Sequence, residues 1–246
     1  MPEKMTTTAI ILAAGSGKRM NSNVAKQYML LAGKPVLYYS LKVFQESCID
    51  HIILVVGEND LEYVKRDVVD KYGFDKVRHV IAGGSERYFS VYHGLQAAAA
   101  YSSGESYIFI HDGARPFVSE QMIEEALVCV QTEKACVIGM PVKDTIKIAD
   151  VSDYAVETPK RSQVWMIQTP QVFEFSLVKK AYDTFIHKAD DVLQRGVQIT
   201  DDASVIELFT QQKVKLLKGT YTNIKITTPE DLDAAELFLK RVKSGS

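Results

Sequence analysis

Cysteine is scarce in this chain and carries no pattern. Cys48, Cys129 and Cys136 are odd in number, lack CxxC spacing and sit in apolar contexts, so they are expected to be reduced thiols packed in the core. The five histidines are scattered without an HxH or HExxH pair, which removes the usual signature of a zinc site. Long hydrophobic runs are missing too. The N-terminal MPEKMTTT leads into only six apolar residues, too few for a signal-peptide core or a membrane span, and the expected location is the cytoplasm. Charge of one sign is not in excess: a net charge of −2 and a pI near 6.2 give no general attraction to nucleic acid or to an anionic membrane. An anionic ligand must therefore be held by a local cluster of cations. Repeats, low-complexity stretches and linkers are also absent. At 246 residues with 46% apolar composition, the expectation is one domain over 1–246.

Short apolar runs rich in β-branched and aromatic residues recur between helical patterns. Ala9–Leu12, His51–Val56, Val77–Ile81, Tyr107–Ile110 and Cys136–Met140 read as strands buried on both faces. Val36–Gln45, Asp60–Lys71, Ser85–Tyr101 and Glu120–Gln131 carry apolar residues at helical spacing. This alternation predicts an α/β fold: a mainly parallel twisted sheet with helices on both faces, in the Rossmann-like manner. Between Pro141 and Trp165 the pattern changes to strand-like Thr145–Ile148 and Tyr154–Val156 around acidic turn residues, which predicts a projecting β-hairpin arm at about 141–165. A lone hairpin is marginal in water, so a second copy of the chain is expected to cover it. Beyond it, helices near Phe175–His187 and Asp202–Thr210, strands Val214–Leu217 and Asn223–Ile226, and a final helix Pro229–Val242 are expected.

The most informative stretch is Ala9 to Met20. An apolar strand opens into Gly15-Ser16-Gly17-Lys18-Arg19, and Lys26 follows seven residues after Arg19. Glycines let backbone N–H groups approach a bulky ligand, and the two cations can neutralise a triphosphate. Two better-known phosphate loops do not fit. Leu12 stands where a Walker loop needs its first glycine and Arg19 where it needs Ser or Thr; Met20 stands where the dinucleotide fingerprint needs glycine or alanine. A tight turn with no ligand is the competing reading of this window.

Three further windows carry polar groups at strand ends. Gly83-Gly84-Ser85-Glu86-Arg87 with Ser90 offers free N–H groups and a hydroxyl for a base or ribose, or else a plain strand-to-helix turn capped by Ser85. In His111-Asp112-Gly113-Ala114-Arg115, a charged Asp112 after an apolar strand needs water or a cation. It suits Mg²⁺ or a substrate hydroxyl, while Arg115 suits a phosphate; a purely structural Asp112–Arg115 pair is the alternative. Lys225 is a lone lysine in an otherwise apolar strand, where a cation needs an anionic partner.

Read in order, LAAGSGKRM, Lys26-Gln27, AGGSER with Ser90, HDGARPF, the KDTIK arm, IQTPQVF, TDDAS and NIKITTPEDL span nearly the whole chain. The first resembles the opening signature of sugar and polyol nucleotidyltransferases. Together they closely resemble the 2-C-methyl-D-erythritol 4-phosphate cytidylyltransferases of non-mevalonate isoprenoid synthesis. The resemblance implies transfer of CMP from CTP to the polyol phosphate with Mg²⁺ or another divalent cation, by a homodimer whose exchanged arms complete each other's sites. It assigns the backbone of Ala13, Ala14, Gly15 and Gly17 to the triphosphate, with Arg19, Lys26 and Lys225 as catalytic cations. Gly84, Ser85, Ser90 and Gly113 fall to cytosine and ribose, and Asp112 to the polyol near the metal. Arg115, Thr169 and Thr200 join it in substrate binding, and Thr145 and Arg161 reach the acceptor phosphate across the dimer. Glycine at 113, where the family often has alanine, is expected only to loosen the backbone. The near relative acting on ribitol 5-phosphate tends to carry HDSVRP and to lack the second Asp of TDDAS, so HDGARPF and Asp202 argue against it. A catalytically silent nucleotide-binding homologue is expected to have lost Arg19, Lys26, Asp112 or Lys225; all four are present.

Overall fold

The computed structural model describes residues 5–15 and 25–244 of the chain. Its strands are β1 (Thr6–Ala13), β2 (Leu30–Leu31), β3 (Lys34–Pro35), β4 (His51–Val56), β5 (Val77–Ala82), β6 (Ser106–Asp112), β7 (Ala135–Pro141), β8 (Ile148–Ala149), β9 (Ala155–Glu157), β10 (Trp165–Glu174) and β11 (Lys215–Lys218). The helices are α1 (Val36–Glu46), α2 (Leu61–Val64), α3 (Arg87–Ala98), α4 (Glu120–Glu133), α5 (Phe175–Gln194), α6 (Asp202–Phe209) and α7 (Pro229–Ser244). Seven strands form one sheet in the order β11-β7-β10-β6-β1-β4-β5. Four of its pairings are parallel, and β10 runs antiparallel to both of its neighbours. The mainly parallel α/β architecture stands as the sequence predicts.

Alternation along β1 shows how the core is split. Ala9, Ile11 and Ala13 face a cluster with Leu37, Leu41, Phe44, Met122 and Ile123 from α1 and α4. Ile10 faces Val91, Leu95, Tyr182, Phe185 and Ile206 from α3, α5 and α6. A third, smaller cluster of Leu31, Val36, Ile226 and Ala235 seats α7. The parallel register aligns Leu12 with Asp112, Ala13 with Val56 and Val56 with Ala82, so the carboxyl ends of four strands form one row, the edge at which such sheets bind ligands.

Several expectations need correction. β5 is an edge strand and half exposed, not buried on both faces. The helix expected over Asp60–Lys71 is a short α-turn that widens to a π-helix over Lys65–Asp70. Asn223–Ile226 is not a strand: it has no ladder, and its backbone bond in that direction is Ile226 N–H donating to the Ala114 carbonyl at 2.9 Å, the rest of its hold on the sheet coming from side chains. β10 went unforeseen because Gln168-Thr169-Pro170-Gln171 interrupts its apolar pattern, and the ladder to β7 shifts register there. Cys48 is exposed and Cys129 half-buried; only Cys136 packs in the core. The hairpin is present as β8 and β9, displaced along the chain from the expected runs, with a 3₁₀ turn at Arg161–Gln163. No described helix is long and apolar enough to cross a membrane.

Candidate active site

Two cavities meet at the carboxyl edge of the sheet. The first, of about 340 Å³, is floored by the exit of β1 and walled by the β5–α3 loop. It brings together Ala13, Ala14, Gly15 and Lys26 on one side and Gly84, Ser85 and Ser90 on the other, with Asp112 and Lys225 at one end. Close approach requires glycine here: a Cβ on Gly83 would come within 2.5 Å of Ala14 Cβ and 2.7 Å of Ser90 Oγ. Ser90 ties the loop by accepting from Gly84 N–H at 3.0 Å and donating to the Glu86 carbonyl at 3.3 Å. Ser85 is not the helix cap, since α3 starts after Glu86 without a side-chain cap, and Ser85 stays exposed on the cavity wall.

Gln27 is a residue whose role the sequence did not disclose. Its buried amide donates to the carbonyls of Ala13 at 2.7 Å and Gly15 at 3.1 Å. In a trans peptide the C=O of one residue points opposite to the N–H of the next, so pinning the Ala13 carbonyl turns Ala14 N–H away from Gln27. Gln27→Leu is expected to remove both bonds, at about 1 kcal/mol each. Under the nucleotide and acceptor that the sequence resemblance implies, the KM for the nucleotide is expected to rise about tenfold or more with the acceptor KM unchanged. Steady-state kinetics with each substrate varied checks this, and an equal rise in both constants refutes it.

Asp112 closes β6 at the point where the cavities join. Lys225 Nζ lies 2.8 Å from its Oδ2, Arg87 Nε 3.6 Å from Oδ1 and Arg115 Nε 3.8 Å from Oδ2. Burial alone would push the Asp112 carboxyl up. Arg87, Lys225 and Arg115 outweigh it and hold the group well below the usual carboxylate range. The structural-pair reading of Asp112 is met in part: it does pair with Arg115, but its shortest partner is Lys225.

Behind Asp112 lies a fixed proton arrangement. His111 Nε2 is 3.2 Å from the Arg115 carbonyl, which only accepts, so the ring proton sits on Nε2. Nδ1 then accepts from the Thr169 hydroxyl at 3.0 Å, and Thr169 Oγ1 accepts from Asp112 N–H at 3.0 Å. A neutral imidazole with its proton on Nε2 satisfies all three bonds. Burial, reinforced by Arg115, outweighs the pull of Asp112 and lowers the His111 pKa from 6.5 to about 4. Between those values the unfolded chain binds the extra proton, so stability should fall as pH drops through 6.5 toward 4, by roughly 2–3 kcal/mol. The Asp112 contribution has the opposite origin and is lost only below its unfolded pKa near 3.8. Urea unfolding at pH 7 and pH 4.5 should show the loss in the wild type and a shallower dependence in His111→Gln. Equal slopes would remove His111 as its source.

The second cavity, of about 450 Å³, shares Arg87, Asp112 and Lys225 with the first and adds Arg115, Thr169 and Thr200. Its wall explains the polar run in β10. Gln168 donates to the Thr220 carbonyl at 2.8 Å, and buried Asn223 donates to the Thr169 carbonyl at 3.0 Å. Arg115 in turn donates to the Asn223 carbonyl at 2.8 Å. These bonds hold 220–226 against β10 and deliver Lys225 to Asp112 without a strand.

Of the remaining expected site residues, Gly17 and Arg19 lie outside the described residues. Gly113 is not on the cavity wall: it is buried, its N–H donates to Leu12 at 2.8 Å and its carbonyl accepts from Ser40 at 3.2 Å. A Cβ there would meet Leu37 Cδ1 at 2.8 Å, so this glycine serves close packing rather than loosening the backbone. Thr145 and Arg161 are exposed on the arm and line neither cavity; Arg161 donates to the Lys143 carbonyl at 3.2 Å. Among the described residues no three His, Cys, Asp or Glu side chains gather as a cation cage. Asp112, ringed by cations, fits a divalent ion only as one protein carboxylate beside phosphate oxygens and water, the usual manner of Mg²⁺ bound with nucleotides.

A glycine-floored cavity and a second cavity, joined through cations at the carboxyl edge of a mainly parallel sheet, have the layout that joining two anionic substrates requires, as in a nucleotidyltransferase. The family model for 2-C-methyl-D-erythritol 4-phosphate cytidylyltransferase (IspD) matches residues 7–241. A relative of that name from Lachnoclostridium phytofermentans is 48% identical over 233 residues, covering 95% of this chain and 96% of the relative. Another, from Lachnospira eligens, is 48% identical, covering 95% and 99%. The crystal structure of 4-diphosphocytidyl-2C-methyl-D-erythritol synthase from Anaerococcus prevotii superposes with a TM-score of 0.80 at 36% identity, covering 96% of each chain. The chain belongs to the 2-C-methyl-D-erythritol 4-phosphate cytidylyltransferase family.

Proposed function

We propose that the protein transfers CMP from CTP to 2-C-methyl-D-erythritol 4-phosphate, giving pyrophosphate and 4-diphosphocytidyl-2-C-methyl-D-erythritol, for isoprenoid precursor synthesis. The observation that carries this reading is the pair of cavities joined at Asp112 and Lys225, within a chain of this family. CTP occupies the first cavity, with its triphosphate over Ala13–Gly15 and beside Lys26, and its cytidine against Gly84, Ser85 and Ser90; the family resemblance assigns Arg19 to the same triphosphate. The acceptor occupies the second, its hydroxyls near Asp112, Arg115, Thr169 and Thr200.

An acceptor phosphate oxygen attacks the α-phosphorus, the new P–O bond forms, and the bond to the β-phosphate breaks with its electron pair leaving on pyrophosphate. The nucleophile is already ionised, so no general base is required. What the chain must supply is in-line placement and positive charge. Lys26, Arg19 and Lys225 supply charge at the α-phosphate, Lys225 by exchanging Asp112 for the phosphate. Mg²⁺ or a similar ion carried with the triphosphate would add charge neutralisation there, with Asp112 the carboxylate in reach.

We read the chain as one domain over 1–246 that works in the cytoplasm as a homodimer, the 141–165 arm carrying Thr145 and Arg161 to the acceptor phosphate of the partner. Pyrophosphate release measured with CTP, Mg²⁺ and either methylerythritol phosphate or ribitol 5-phosphate tests the reading. Strong preference for the first acceptor is expected. Release with ribitol phosphate alone, or with neither, overturns it.

A further inference from the structure

Arg87 and Asp202 meet across 115 residues of sequence, and neither has a role in the chemistry above. Arg87 opens α3, beside the nucleotide-side loop; Asp202 opens α6, on the acceptor side. The guanidinium donates two parallel hydrogen bonds, Nη1 to Oδ1 at 2.8 Å and Nη2 to Oδ2 at 2.7 Å. This two-pronged geometry fixes direction as well as distance. Asp202 is 0% exposed, and its Oδ1 also accepts from the buried Tyr182 hydroxyl at 2.6 Å. Gln171, on β10, accepts from the backbone N–H groups of Asp202 and Ala203 at 3.0 and 2.9 Å and donates to Asp201 at 2.9 Å. The start of α6 is thereby keyed to the middle of the sheet.

The pair's charges cancel, so it adds little net attraction for phosphate. What remains is geometry. Arg87 lines both cavities, and its Nε lies 3.6 Å from Asp112, beyond hydrogen-bond reach. We propose that Arg87 and Asp202 form a positioning clasp that sets the spacing between the nucleotide-side and acceptor-side cavities and so aligns the two phosphates for transfer. This rests on the transfer reading above. In-line attack tolerates little error, and a misplacement of about 1 Å costs on the order of a hundredfold in rate. The residues assigned above to each substrate all remain when the clasp is lost.

The test is the double variant Arg87→Met/Asp202→Leu, in which no buried ion is left alone; replacing a buried pair by apolar residues of similar volume is often neutral for stability. Separate calorimetric titrations with CTP and with methylerythritol phosphate should give affinities within about twofold of wild type, while kcat for pyrophosphate release falls about thirtyfold or more. Wild-type kcat in the folded variant, or an acceptor KM that rises while kcat holds, overturns the clasp. If the double variant does not fold, Arg87→Lys decides: the charge stays but one ammonium cannot span both carboxylate oxygens, so kcat should drop about tenfold at unchanged affinities. Undiminished kcat there overturns the proposal. Wild-type protein run alongside separates the two ideas, because no pyrophosphate from wild type sinks the transfer reading itself.

Discussion

Lys225→Ala should slow CMP transfer on the order of a hundredfold, a loss of about 3 kcal/mol of transition-state stabilisation, while leaving the fold nearly as stable. The seam between the cavities holds three cations, Arg87, Arg115 and Lys225, against two carboxylates, Asp112 and Asp202, an excess of one positive charge. Removing Lys225 cancels that excess at the place where, in the transfer proposed above, pyrophosphate leaves. Arg87 is committed to Asp202, and Arg115 is largely enclosed and bonded to the Asn223 carbonyl, so neither is placed to substitute. Lys225 is 37% exposed, and its ammonium can leave Asp112 for a phosphate by a side-chain rotation alone. That same exposure limits its worth to stability, since half-solvated ion pairs contribute about 1 kcal/mol or less. Turnover and melting temperature measured on one preparation check both halves. Turnover within threefold of wild type, or a fall in melting temperature that accounts for the lost activity, would move Lys225 out of the chemistry.

The parts of the fold and site that are legible in the sequence are those written by neighbours. The apolar run Ala9–Ala14, closed by Gly15, marks both β1 and the cavity floor that follows it. Asp112 stands out because a carboxylate at the end of an apolar strand must have a partner, and it has three. What escapes depends on contacts between distant segments. Gln171 and Gln168 look like loop residues until Asp201, Asp202 and Thr220 are seen to take their amide bonds, and only then is a strand through them tolerable. Lys225 is rightly singled out as costly but wrongly set in a strand, because its segment is held by the side chain of Asn223 rather than by a ladder. Arg87 lies within the glycine-loop window and Asp202 within TDDAS, yet nothing local joins residues 115 positions apart. Gly113 misleads for the opposite reason: its place beside Asp112 suggests ligand contact, whereas its surroundings are Leu37 and Leu12.

Mixed dimers should recover activity from two inactive chains. The arm's apolar side chains lack a core: Val151, Tyr154 and Val156 are 105%, 73% and 63% exposed, and β8 and β9 form a two-stranded sheet apart from the main one. An isolated hairpin of this size is marginal in water, so a partner surface that covers it would supply the missing burial. Arg161 and Thr145 sit on that arm and line neither cavity of their own chain, although the family resemblance assigns them to the acceptor phosphate. Both facts are met if each arm crosses to the other subunit's second cavity. Arg161→Ala alone should then raise the acceptor KM much more than the CTP KM, because a guanidinium–phosphate pair is lost from one substrate only. In a heterodimer of Arg161→Ala and Lys26→Ala chains, one site receives intact Lys26 from one subunit and intact Arg161 from the other, while its companion site lacks both. Differently tagged chains, co-expressed and purified through both tags and assayed with acceptor near its wild-type KM, far below the raised KM of the Arg161→Ala dimer, should show close to half the wild-type rate per dimer, against a loss on the order of a hundredfold for either parent dimer. Heterodimers no more active than the parents would place Arg161 in its own subunit's site, and full activity in a monomer would remove the shared site altogether.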